Sequence, residues 1–258
     1  MRLYRNKSVK MLFMFRIPKW SKISVEMYQY INDINDSEMD ETDKLLMTLT
    51  ALTGKTERQL DKLGMSKLGM LRFTLLVNNL KKRLKILTVK GKPVKKLKGF
   101  KFILDVERLT FAKYIEIQHF FKLGQVESLH FVAASMCENE DISHQQRAAR
   151  ILQLPFLPVF WTVVHMLEQL SVFNKEYKGL LGIDEEADEE LIPERNKFNE
   201  RYGWIYSAKK VSDFEGVSLE AAFDLPVRQA FNDLSYLKEL NNYEYELNKK
   251  QLGGIINH

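Results

Sequence analysis

Apolar residues recur along this chain at the three- and four-residue spacing of helices, and one such pattern occurs twice. The segment Lys22-Ile23-Ser24-Val25-Glu26-Met27-Tyr28-Gln29-Tyr30-Ile31 aligns with Arg108-Leu109-Thr110-Phe111-Ala112-Lys113-Tyr114-Ile115-Glu116-Ile117 at an offset of 86. Each copy has an apolar residue, a Ser or Thr placed to cap a helix, and a Tyr four residues beyond the cap. An apolar run starting Leu45-Leu46-Met47 is matched by one starting Leu129-His130-Phe131, and Phe73 to Leu80 by Val163 to Leu170. Two copies describe a duplicated helical unit, because a solenoid needs three or more to bury a continuous core.

In the first copy, Ser24 predicts a helix through about Asn32. Asp33 to Asp43 then reads as a polar connection. A second helix spans Lys44 to Leu52 and stops at Thr53-Gly54. Thr56 opens a short helix. Ser66 opens a longer one with Leu68, Leu71, Leu75, Leu76 and Leu80 on one face. Ile86 to Gly91 and Phe100 to Val106 are β-branched or aromatic, and Gly91, Pro93 and Gly99 between them supply turns, so residues 86–106 predict a β-hairpin with an exposed basic tip. The second helical unit runs from Thr110 to about Phe173, with Pro155 and Pro158 near the start of its most hydrophobic helix. Further on, Ser218 caps a short helix, and Pro226 starts a long one with Ala230, Phe231, Leu234, Leu237 and Leu240 at helical spacing. Its far end, Asn241 to Lys250, is polar and is expected to project into water. The fold class expected is mainly α: two duplicated helical units joined by a β-hairpin, plus a small C-terminal helical domain. The divisions are 1–84 (basic segment and first unit), 85–107 (hairpin), 108–178 (second unit), 179–196 (acidic linker) and 197–258 (C-terminal domain).

Charge sharpens this division. Residues 1–101 hold 23 Lys/Arg against 9 Asp/Glu, whereas residues 102–258 hold 16 against 25, so a net charge of +5 conceals a bipolar chain. Such asymmetry draws acidic surfaces or nucleic acid to one end, or brings two copies together head to tail. Asp184 to Glu194 carries seven acidic side chains and no basic one, which marks the linker. The apolar run Met11-Leu12-Phe13-Met14-Phe15 is too short for a signal-peptide core or a bilayer span, and no membrane association is expected. One cysteine, Cys137, excludes an intramolecular disulfide and fits a reducing compartment.

Candidate chemistry is sparse. His130, Cys137 and His144 are spaced by seven but lack the paired short spacings of metal ligands, and they read as structural. No phosphate-binding glycine loop or nucleophile elbow occurs, so no catalytic residue, metal or cofactor is expected. Two surfaces remain. From Lys81 to Lys101 there are ten Lys/Arg and no acidic residue; Lys90, Lys92, Lys95, Lys96 and Lys98 form a basic patch suited to phosphates or to an acidic protein neighbour. The patch is nearly all Lys and its loop has no aromatic residue for base stacking, which places nucleic acid behind protein contact. In the C-terminal region Phe198, Tyr202, Trp204, Tyr206, Phe231 and Tyr236 form an aromatic set suited to core packing or to partner binding.

Ile17-Pro18-Lys19-Trp20-Ser21-Lys22-Ile23-Ser24-Val25-Glu26-Met27-Tyr28 resembles the opening of a family of tailed-bacteriophage proteins, with an apolar residue, Pro, Trp, a Ser/Thr cap and a Tyr in that order. The resemblance continues in Leu49-Thr50-Ala51-Leu52-Thr53-Gly54, Leu109 to Tyr114, Leu152-Gln153-Leu154-Pro155, and Tyr202-Gly203-Trp204 to Tyr236-Leu237-Lys238. It implies a tail assembly chaperone of the kind found in phages of Bacteroidetes, binding a helical tape-measure protein in the host cytoplasm before the tail tube polymerises. The basic stretch Met1 to Lys10 departs from that family. An alternative is a virion structural, neck or internally packaged protein whose basic N-terminal half faces DNA or a portal component.

Overall fold

The computed structural model describes residues 22–56, 58, 91–124, 126–138, 141–181 and 193–255, with the side chains of 193–200 and 251–255 left undescribed. Over these residues the protein is mainly α-helical, with one small antiparallel hairpin. The helices expected from Thr56, Ser66 and Phe73–Leu80, the strand expected at Ile86–Gly91, and Lys90 lie outside the described residues.

Helix α1 (Val25–Asp36) begins where the Ser24 hydroxyl accepts from the Met27 amide, and it buries Val25, Tyr28, Ile31 and Ile34. It runs one turn past the expected end, so the acidic connection shrinks to residues 37–40. Helix α2 (Glu41–Thr53) starts three residues before Lys44 because Asp40 caps it, accepting from the Thr42 and Asp43 amides at 2.7 and 3.0 Å. It ends at Gly54, whose φ of 65° only glycine adopts at little cost.

The hairpin is shorter than expected. Of the three residues expected to supply turns, Gly99 stands in the turn of the hairpin. Strands β1 (Lys96–Leu97) and β2 (Phe100–Lys101) pair through the two-residue turn Lys98-Gly99, both with positive φ (45° and 91°), the conformation that matches strand twist. Gly91 and Pro93 do not form the turn. Gly91 instead lies against Trp161, and a Cβ there would fall inside the indole. The Val94 amide donates to Thr162 Oγ1 at 3.0 Å, holding residues 91–94 along α6 (Phe156–Glu176). Beyond β2 the extended chain bonds to the segment after the next helix pair, with Ile103 N to Met136 O at 2.8 Å and Glu138 N to Lys101 O at 2.9 Å. Phe102 and Ile103 are buried there.

A 3-10 turn (Val106–Arg108) leads into α3 (Phe111–Lys122). Helices α4 (Leu129–Ser135) and α5 (His144–Ile151) follow, the latter with a reciprocal Ser143–Gln146 capping box. Central helix α6 contributes Phe156, Val159, Thr162, Val163, Met166, Leu170 and Phe173 to the core. Ile151 to Leu167 carries no Asp, Glu, Lys or Arg, and α6 alone among the described residues is long and apolar enough to cross a membrane. In this fold its apolar length packs against protein on one side.

The remaining helices are α7 (Lys178–Leu181), α8 (Pro193–Glu215), α9 (Leu219–Asp224, capped by Ser218) and α10 (Val227–Ile255). They do not build a core of their own. Trp204 from α8 meets Phe111 and Tyr114 of α3 edge-on, at centroid distances of 6.0 and 5.8 Å. Phe231 from α10 contacts Phe111, Tyr114, Phe173 and Tyr177. The acidic stretch at 179–196 divides the sequence, but the core continues across it.

One junction is built twice. Val25 N donates to Leu154 O at 3.0 Å and Phe156 N to Ile23 O at 2.7 Å, while Phe111 N donates to Leu225 O at 2.9 Å and Val227 N to Leu109 O at 3.0 Å. Ser24 thus faces Pro155, and Thr110 faces Pro226, as single antiparallel bridges. At such a non-bonded position the facing residue needs no N–H, so proline fits without a lost hydrogen bond and is set to start the following helix. The consequence is a crossed arrangement. Helix α1 is stitched to the start of α6, and α3 to the start of α10.

Candidate functional site

The aromatic set separates into core and surface. Phe231 is completely buried (0% exposed) and Trp204 is half-buried against α3, which is the core packing that was one of the two uses expected of the aromatic set. Both are bulky side chains on core-facing helix positions, and burying rings of that size contributes about 2–3 kcal/mol each. Phe198 lies in α8. Tyr202, Tyr206 and Tyr236 are exposed.

These three belong to a wider apolar surface. Twelve large hydrophobic side chains are exposed among the described residues, and nine of them lie between Tyr202 and Leu247; the others are Tyr30, Leu123 and Val172. Single exposed apolar residues need no explanation, but the placing of eight of these nine on the two helices α8 and α10 does. On α8, Arg201 sits 5.3 Å from the Tyr202 ring and Lys210 Nζ 4.7 Å from the Tyr206 ring, which orients both phenols by cation–π attraction. Phe214 meets Tyr236 at 5.6 Å, joining α8 to α10. Ile205, Val217, Tyr243 and Leu247 extend the surface beyond the residues singled out from the sequence.

Beneath this surface, Asp233 lies between the helices with Oδ2 buried and no hydrogen-bond partner on that atom. Burial, reinforced by the neighbouring Glu215 carboxylate, pushes its pKa up to about 6. Glu215 is itself held by Gln229 Nε2 at 2.9 Å.

The basic patch is placed as expected where it is described: Lys92, Lys95, Lys96 and Lys98 are all exposed on or beside the hairpin. Lys96 stands directly opposite Lys101, an arrangement that like charges disfavour. Lys98 also lines a cleft of about 410 Å³ with Asp141, Arg147, Arg150 and Gln153.

The evenly spaced His130, Cys137 and His144 do not converge. Gln29 Nε2 lies 3.1 Å from His130 Nδ1, and His144 Nε2 lies 3.0 Å from Ser135 Oγ and 3.2 Å from the Phe131 carbonyl. Burial lowers both imidazole pKa values, and the two rings flank Phe131. Cys137 Sγ, two residues past the end of α4, donates to Ala133 O of that helix, and burial pushes the thiol up to about 11 despite the nearby Arg147 and Lys113. A thiol so protonated is a poor nucleophile and a poor metal ligand. No group of three or more His, Cys, Asp or Glu among the described residues is arranged to hold a metal.

Comparison of the chain with protein-family models, curated proteins and solved structures finds no match.

Proposed function

We propose that the protein acts by binding a helical protein partner and has no catalytic role, serving as a tail assembly chaperone for a tape-measure-type helix in the host cytoplasm. The observation that carries this is the concentration of exposed aromatic and aliphatic side chains on α8 and α10. Amphipathic helices are held by apolar surfaces between or along helices, with polar surroundings that keep the free chaperone soluble. The phage-like motifs quoted above support the same reading.

The test is co-expression with the phage's tape-measure protein, followed by co-purification and mass spectrometry of purified particles. Capture that is weakened at least tenfold by Tyr202→Glu with Tyr206→Glu, together with absence from mature particles, is the expected result. Capture unaffected by the pair would refute it.

A second reading rests on a separate observation, the four exposed lysines of the hairpin region, of which Lys98 lines a cleft with Arg150. A virion neck, portal-associated or internally packaged protein would use them against DNA or an acidic neighbour. Replacing Lys92, Lys95, Lys96 and Lys98 by Glu would then abolish association, and each lost phosphate contact would lower the salt slope of DNA binding by about one. The chaperone reading expects capture to survive these four changes. Head-to-tail self-association between the basic and acidic halves would show as a salt-sensitive dimer in sedimentation.

A further inference from the structure

Helix α10 continues well past the last residue it buries. Leu234 is buried, Leu237 and Leu240 are half-buried, and every residue from Asn241 to Lys250 is exposed. At 1.5 Å per residue, the stretch from 241 to 255 forms an arm about 22 Å long. Its sequence is not simply polar. Tyr236, Leu240, Tyr243 and Leu247 follow one another at intervals of four, three and four, which keeps them on a single line of a 3.6-residue helix. That line is turned away from the side carrying Val227, Ala230, Phe231 and Leu234, which faces the core. Tyr236, Tyr243 and Leu247 are 53%, 63% and 40% exposed. Lys250, the next position along the line, closes the stripe.

The borders of the stripe are acidic. Glu239 and Glu246 run along one side and Glu244 along the other, at the positions that face the partner's borders when two helices pair by knobs into holes. We propose that the α10 arm is a docking helix for an amphipathic helix of another protein, whose apolar seam is bordered by Lys or Arg. This rests on the reading that the protein works by holding a helical partner, and it adds the arm to the α8 surface as a second part of the site and names the chemistry of that part. Charge argues against a second copy as the occupant. Parallel pairing of two arms sets Glu239 of one copy against Glu244 of the other, and antiparallel pairing sets Glu239 against Glu246. A basic border converts each repulsion into attraction.

The probe is a fluorescently labelled amphipathic peptide of about three heptads, made with Lys at both borders or with Glu at both borders and otherwise identical. Titrated into the full chain, the Lys-bordered peptide is expected to bind at least tenfold more tightly than the Glu-bordered one, and to weaken as salt is raised. Tyr243→Ser, an exposed change, should cut that binding about tenfold while leaving the circular dichroism unchanged. The combined Glu239→Lys, Glu244→Lys and Glu246→Lys variant should reverse the preference between peptides. Equal binding of the two peptides would overturn the assignment. So would a preference that survives the triple reversal, or a wild-type dimer that Tyr243→Ser dissolves. If the tape-measure protein is captured equally by wild type and Tyr243→Ser, the arm is not the site although the proposed function stands. If the Lys-bordered peptide binds as expected but the tape-measure protein is not captured, the arm is supported and the chaperone reading fails.

Discussion

Tyr28 and Tyr114 occupy the same place in two 12-residue helices, each four residues beyond a hydroxyl cap and each turned into the core. Their surroundings differ. Tyr28 stacks on Phe156 at 3.6 Å, whereas Tyr114 lies among Phe173, Trp204 and Phe231 and donates from its hydroxyl to Asn174 Oδ1 at 2.9 Å. Burial raises the pKa of both phenols, more strongly at Tyr114, so both stay protonated across the physiological range. The duplicated cap fixes where each ring enters, and the crossed stitching of α1 to α6 and α3 to α10 decides what it meets.

Tyr114→Phe keeps the ring and deletes the donor to Asn174. A loss of about 1–2 kcal/mol in urea unfolding is expected, because the amide oxygen is left without its partner. Tyr114→Ala should cost about 3–5 kcal/mol through the cavity it opens. A Phe variant as stable as wild type would show that the hydroxyl bond contributes nothing net.

Removing residues 193–258 strips Trp204, Ala208, Val211, Ala222, Val227, Ala230, Phe231 and Leu234 from the shared core. The truncated chain is expected to bind a hydrophobic dye and to lose its near-ultraviolet circular dichroism, as a loosely packed state does. The acidic stretch read as a linker predicts the opposite outcome, that residues 1–175 stay folded alone. A cooperative transition in the truncated protein would restore that expectation.

Asp233 makes stability depend on pH in a defined direction. Its folded pKa of about 6 lies above the ordinary 3.8, so between those values the folded state holds a proton that the unfolded state has lost. Stability from this group is therefore full below about pH 4 and falls as pH rises through about 6. Asp233→Asn, which mimics the protonated form, should gain about 1 kcal/mol at pH 7.5 and nothing near pH 4, after allowance for partial solvent screening. Thermal melts of the two proteins across this range measure the difference; a gain at low pH only would contradict it.

Gly91 lies so close to Trp161 that any side chain must displace the indole. Gly91→Ala is expected to destabilise by about 1–3 kcal/mol, the usual cost of overpacking. Trp161→Leu should relieve part of that cost when the two are combined, giving a non-additive double-mutant cycle. Additive effects would mean that the two sites do not touch.

Local chemistry was legible from the residues alone wherever the deciding interaction is itself local. Ser24, Thr110 and Ser218 start helices and Gly54 ends one, through bonds and φ angles formed within four residues, and the Tyr28–Tyr114 correspondence follows from the same short-range pattern. The exposed lysines near the hairpin follow from a run of charge with no acid to pair it. What only tertiary structure decided are contacts between distant segments. Gly91 has the same sequence signature as a turn glycine, yet its reason for being small is a tryptophan 70 residues away. Phe231 and Tyr236 are both aromatic residues on one helix, but burial depends on which side meets α3 and α6, and the first is core while the second is surface. The acidic stretch reads as a boundary because charge avoids cores, but it carries no information about whether the helices on either side of it share one. Here they do, since the rings of α3 are covered only when α8 and α10 close over them.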